Sequence, residues 1–202
     1  MLSVMALSAG AQNDPAAKAI LDKVSAKFKT LKTVQADYTL NVTSRAGKNA
    51  GRKNGSIFLK NPKYLITEKS MEITSDGNKM WKYEPAANEV TVSDVDNSTS
   101  SLTPQKLFTN FYDKDFLYKL NSDAKGIQEI ELTPIDKSKL FHKVIVFINK
   151  ATQTIVSTKI FEKAGNRYTY TVSGMDTKSN IDDATFVFNL KNYPGMEVVD
   201  LR

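Results

Sequence analysis

The sequence predicts a mainly β fold: about a dozen short antiparallel strands that curl strongly or close into a barrel, with short amphipathic helices. Three features carry that prediction. From Val34 onward apolar and polar residues alternate with period two. The alternating runs are separated by brief turn signals such as Asn61-Pro62-Lys63, Asp76-Gly77-Asn78 and Ala164-Gly165-Asn166, too short for parallel crossovers. Only two segments show a helical period instead.

The first helix is signalled at both levels. Asp14 suits a cap and Pro15 the first helical position, where a missing N–H costs nothing. Ile20, Leu21, Val24, Phe28 and Leu31 fall within about 100° of helical arc, with Lys18, Asp22, Lys29 and Lys32 opposite. Such a helix must lie on something apolar. Strand-like segments follow: Val34, Ala36, Tyr38, Leu40 and Val42 alternate with polar partners, then come 54–60, 63–68, 71–75, 79–84 and 88–93. A polar stretch from Ser93 to Ser101 reads as a loop. A second helix then starts at Thr103-Pro104, with Leu107, Phe108 and Phe111 on a narrow apolar face. Strands resume at 115–120, 127–133, 142–149, 153–162, 166–174 and 185–190, and Met196 to Val199 is a last extended piece. So many antiparallel strands leave the helices' apolar faces one destination, the mouth or interior of the curled sheet.

Length and composition narrow the function. The chain has 202 residues, 41% of them apolar and 25% charged, which suits one domain with a real core. Cysteine is absent and there is one histidine, which excludes disulfides, thiol chemistry and histidine-clustered metals. The formal charge of +6 comes from lysine, with only Arg45, Arg52, Arg167 and Arg202 to supply planar forks. That argues against a nucleic-acid partner. Residues 1–11 read as the remnant of a secretory signal peptide: a short apolar run, then Ala9 and Ala11 in an A-x-A cleavage pattern. The expectation is an exported, soluble protein without a lipid anchor, residues 12–202 forming a single domain whose true start lies upstream.

No catalytic constellation is legible. His142 sits beside Lys143 at a strand edge, and the paired carboxylates Asp94/Asp96, Asp113/Asp115, Glu129/Glu131 and Asp182/Asp183 lie among polar residues with no sign of burial. The reading is therefore not an enzyme, with no cofactor and no metal. What remains is apolar surface. Strand 142–149 is apolar on both faces, and 63–68 sets Tyr64 and Ile66 against Leu65. Both faces then need cover, from core, helices or a ligand.

Several blocks in order along the chain resemble one known family. They are Ile20-Leu21-Asp22-Lys23-Val24; Gly55-Ser-Ile-Phe-Leu59-Lys60-Asn-Pro62-Lys-Tyr64; Ser75-Asp76-Gly77-Asn-Lys79-Met-Trp81-Lys-Tyr83-Glu-Pro85; and Phe186-Val-Phe188, Pro194-Gly195 and Val198-Val199-Asp200. They resemble the periplasmic outer-membrane lipoprotein carrier family (LolA). The resemblance implies an incomplete antiparallel barrel of about 11–12 strands lidded by helices, whose apolar cavity holds lipoprotein acyl chains. It implies a periplasmic monomer that receives acylated lipoproteins from an inner-membrane ABC-type release complex and passes them to an outer-membrane acceptor. The alternative is a LolA-like carrier or sensor of another lipid or hydrophobic ligand in the cell envelope. On this reading Ile20, Leu21, Val24, Phe28, Leu31, Leu107 and Phe108 form the lid, and Tyr64, Leu65, Trp81 and Tyr83 the sheet side of the cavity. The family's arginine that latches the lid, before the turn proline, is replaced here by Asn61. An uncharged amide cannot make the same charge-assisted hydrogen bonds.

Overall fold

The computed structural model describes residues 13–95 and 112–202. The signal-peptide reading of residues 1–11 and the second predicted helix, with Leu107 and Phe108, lie outside the described residues. Helix α1 (Pro15–Thr30) begins as the sequence predicts: Asp14 Oδ1 accepts from the Ala16 amide at 2.8 Å, with proline in the first turn. It ends at Leu31, whose backbone turns extended to enter the first strand.

The strands are β1 (Val34–Thr43), β2 (Asn49–Lys60), β3 (Lys63–Glu68), β4 (Met71–Ser75), β5 (Lys79–Glu84), β6 (Glu89–Asp94), β7 (Phe116–Ala124), β8 (Ile127–Pro134), β9 (Phe141–Asn149), β10 (Thr154–Glu162), β11 (Arg167–Asp176) and β12 (Glu197–Asp200). A single helical turn, α2 (Tyr112–Asp115), leads into β7. All twelve strands form one sheet in the order β12-β6-β5-β4-β3-β2-β1-β11-β10-β9-β8-β7. Its ends, β12 and β7, do not pair, so the barrel is incomplete. The fold class read from the sequence is borne out.

Two elements differ from the sequence reading. The segment 185–190 is not a strand: it carries 3-10 turns at Asp183–Phe186 and Leu190–Asn192. Phe186 and Phe188 alternate like strand residues, but both are buried from one loop that folds back on the sheet. The last strand pairs parallel to β6, Val198 beside Val90. Short connections force antiparallel pairing only between sequence neighbours, and β12 reaches β6 by a long loop from β11, which lies in the middle of the sheet. In addition, β2 starts five residues earlier than its alternation suggests, as the polar arm of a long hairpin with β1.

The registers sort the side chains into two faces, because paired residues share a face and neighbours along a strand alternate. Val34, Leu59 and Tyr64 stand in one row, with Ala36, Ile57, Ile66 and Ile73 in the next. Across the sheet the same face carries Tyr118, Leu132 and Val144, then Ile130 and Val146. Leu59 and Tyr64 share one buried cluster with Phe116 and Tyr118, although many strands lie between them, and α1 supplies the centre through Ala17, Leu21, Val24 and Phe28. Only a sheet curved around the helix brings those residues together. The helix side is therefore the inner, concave face.

The outer face has its own smaller core. Trp81 opposes Val92 and Tyr83 opposes Val90. Over them lies the loop before β12: Phe188 stacks on Trp81 at 6.4 Å and on Tyr193 at 4.8 Å, and Tyr193 packs on Tyr83 at 4.5 Å. Lys60 and Lys63 fasten this loop through Asp183.

Candidate functional site

The concave face and its covering helix form the candidate site. Leu21, Val24 and Phe28 of α1 are buried against it, and Ile20 and Leu31 pack at its margins. On the sheet, Val144, Val146, Ile148, Ile130 and Leu132 lie fully buried under the helix. Ile57, Ile66 and Ile73, further round the curve, are only partly buried. They make an apolar row that continues from the helix-covered floor.

The helix is held at both ends. At its start, Asp14 caps α1 with Oδ1 while Oδ2 accepts from the Leu120 amide at 3.0 Å, and the Asp14 amide donates to the Tyr118 carbonyl at 3.1 Å. One residue thus caps the helix and fixes it to the edge strand β7. The Leu120, Ala16 and Ala17 amides together hold the Asp14 carboxyl below its ordinary pKa. Nearer the other end, Lys27 Nζ donates to the Thr152 carbonyl at 2.6 Å, and Thr33 Oγ1 to the Ser179 carbonyl at 2.6 Å. Between these fixings, a pocket of about 190 Å³ opens between the helix and the sheet, lined by Ile20, Lys23 and Val24 of α1 and by Gln128, Ile148, Lys150 and Gln153.

Of the predicted sheet-side residues, Tyr64 alone faces the helix side. It is buried there, and that burial raises its phenol pKa. Leu65, Trp81 and Tyr83 are one register off and stand on the outer face. The sequence reading put all three on the inner side; Trp81 and Tyr83 instead pack in the outer core, and Leu65 shares their face. Alternation alone does not say which face is inner; the apolar loop residues Ile181, Phe186 and Phe188, which need a partner, were the available signal. Asn61 is exposed at the β2–β3 turn.

Sequence reasoning also missed a polar group on the concave face. Tyr38 Oη donates to Glu68 Oε1 at 2.7 Å, and Lys53 lies 3.2 Å from Oε2 of the same buried carboxylate. The signal was Gly55, paired with both Tyr38 and Glu68. A Cβ there would lie 2.6 Å from the Tyr38 ring, so glycine makes room for the phenol to cross. Burial, then the Glu68 hydrogen bond and charge, push the Tyr38 phenol up, which keeps it a donor and makes it a poor general base. A larger groove, about 530 Å³, opens by the same strands but is lined by Asp37, Thr39, Asn54, Ser56, Thr67 and Lys69. Its hydroxyl and charged walls offer little to an apolar ligand. The paired carboxylates that are described have structural partners: Glu129 and Glu131 accept from Asn121, Asp182 caps a 3-10 turn and Asp183 pairs with two lysines.

The described residues thus form an unclosed curved sheet with an apolar inner face under a helix. The family described as outer membrane lipoprotein carrier protein LolA matches residues 29–189. The chain belongs to the LolA family. The matched region runs from β1 into the loop before β12 and takes in only Lys29 and Thr30 of α1. Among LolA relatives, the outer-membrane lipoprotein carrier protein of Yersinia enterocolitica is 28% identical over 171 residues, 83% of this chain and 82% of its own. That of Hahella chejuensis is 26% identical over 208 residues, 98% and 96% of the two chains. In three dimensions, an uncharacterized conserved protein from Thermus thermophilus superposes with a TM-score of 0.60 over 92% of this chain and 99% of its own. At 14% identity this last likeness shows the fold alone. The LolA family is named for carriers rather than for catalysts. No helix among the described residues is long and apolar enough to cross a membrane.

Proposed function

We propose that this protein is a periplasmic carrier that takes lipoprotein acyl chains onto its concave face and shuttles them from the inner to the outer membrane. The observation that supports this most is the pairing of an apolar inner face with the amphipathic helix α1, held at its ends by polar contacts. Burying one sixteen-carbon chain contributes on the order of 10 kcal/mol at about 0.8 kcal/mol per methylene. The helix face it displaces, Leu21, Val24 and Phe28, is worth about 1.5–3 kcal/mol per side chain. The two terms are of the same order, so cargo gains only their difference and can be released as well as captured.

In this reading Ile20, Leu21, Val24, Phe28 and Leu31 are the lid, to which the family resemblance adds Leu107 and Phe108, outside the described residues. Tyr64, Ile57, Ile66 and Ile73 form the sheet side. Residues 12–202 act as one exported, soluble, monomeric carrier domain after removal of the leader. An inner-membrane ABC-type complex loads it and an outer-membrane acceptor unloads it. With Asn61 in place of the family arginine, closure falls to the Asp14 clamp on β7. The experiment is native mass spectrometry on protein purified from an exporting bacterial host. Acylated species that leave on denaturation are the expected result, and their masses separate lipoprotein from simpler lipid. A clean lipid-free mass with no uptake of added lipopeptide contradicts the proposal.

A further inference from the structure

We infer that one corner of the sheet, formed by the β8–β9 loop and the β10–β11 turn, docks this protein on an anionic lipid bilayer. The corner combines two apolar residues that project into solvent with cations carried by the same loop and the turns and strand ends beside it. Leu140 is 81% exposed and Ile135 50% exposed, at the two ends of one short loop. Leu140 is the most exposed of the large hydrophobic residues described, yet its backbone is fixed: its carbonyl accepts from the Lys163 amide at 2.9 Å. The Lys163 ammonium in turn donates to the Lys137 carbonyl, joining turn to loop. The leucine is therefore held out on a braced loop.

The cations are placed by the same framework. Lys143 lies over the Phe161 ring at 4.7 Å, with the Arg167 guanidinium on that ring at 5.7 Å. Arg45 of the β1–β2 turn lies against Gly165, where a side-chain Cβ would come within 2.7 Å of it. Arg45, Lys137, Lys143, Lys163 and Arg167 thus gather on one corner, opposed by Asp136 and Glu162. Positive charge gathered there draws an anionic surface from about a Debye length away, about 10 Å at 0.1 M salt. Exposed leucine and isoleucine then enter the interface between headgroup and acyl chain. An acidic protein surface would use the charges but would leave Leu140 unburied unless it also offered an apolar socket. A bilayer uses both. The corner also adjoins the concave face, since Phe141, next to Leu140, is buried there and stacks on Phe116 at 6.2 Å.

The test is co-sedimentation of the lipid-free full chain with vesicles, a measurement independent of cargo, so its failure leaves the carrier proposal standing. Binding is expected to phosphatidylcholine vesicles containing phosphatidylglycerol, to weaken as salt is raised, and to vanish on pure phosphatidylcholine. Leu140→Ser is expected to weaken it about tenfold, and Arg45→Gln or Arg167→Gln about fivefold each. Lys125→Gln, on the β7–β8 turn at the opposite end of the strands, should change nothing. Circular dichroism confirms that each variant is folded. Equal binding to neutral vesicles, indifference to Leu140→Ser, or an equal loss in Lys125→Gln each overturns the proposal. Binding to polyglutamate but not to vesicles also overturns it, in favour of an acidic protein partner.

Discussion

Replacing Phe28 with alanine separates a lid that can leave from a helix that is simply core. Phe28 is 8% exposed in the centre of the buried face of α1. Phenylalanine-to-alanine changes at such sites cost about 3–5 kcal/mol. The account places this loss on closure of α1 over the concave face, so even the lower figure multiplies the open population by about a hundredfold, at 1.36 kcal/mol per factor of ten. Apparent affinity scales with the fraction of molecules that are open. A fluorescent fatty-acyl probe should therefore bind Phe28→Ala more tightly, by about a hundredfold while the open form stays a minority, and far-ultraviolet circular dichroism should keep its β signal. Phe188→Ala is the matched control. It removes an equally buried ring, but from the outer core, so it should lower the Tm comparably and leave probe affinity unchanged. Probe binding that stays constant or falls in Phe28→Ala, or that rises equally in Phe188→Ala, refutes the reasoning.

Other consequences follow from the same contacts. Asp14→Ala removes both the helix cap and the acceptor for the Leu120 amide; the first-turn amides lose their partner, and hydrogen exchange should show the first turn of α1 losing protection. Because the Asp14 pKa is depressed in the folded protein, its contribution is complete above the ordinary aspartate value and is lost as pH falls through the folded one. Acid titration below about pH 4 should loosen the start of α1 in the wild type and have no such effect in Asp14→Ala. Gly55→Ala sets a Cβ 2.6 Å from both the Thr67 carbonyl oxygen and the Tyr38 ring. An overpacking cost of about 1–3 kcal/mol should appear as a lower Tm.

Much of the architecture was legible because its signals are local. The Asp14-Pro15 start and the Leu21, Val24, Phe28 stripe specify α1 without any tertiary information, and alternation broken by glycine, proline and asparagine turns places most strands. What the sequence left open depends on contacts between distant segments. Phe186 and Phe188 have the spacing of a strand, and only the presence of Trp81 and Tyr83 beneath them makes their segment a covering loop. The same contact decides the site. A period-two pattern fixes which residues share a face but not which face is inner, so Tyr64 and Leu65, adjacent in β3, fall on opposite sides. The second function of Asp14 was hidden for a similar reason, since its partner amide at Leu120 lies in the edge strand β7.

The central claim is that lipid occupies the concave face and not the outer one. A lipopeptide with a photoreactive group on its acyl chain, irradiated with the full chain and mapped by peptide mass spectrometry, tests it most directly. The expected labels fall on Ile57, Ile66 and Ile73 of the concave face. Labels concentrated on Phe58, Leu65 and Trp81, which stand on the outer face of β2, β3 and β5, would contradict it.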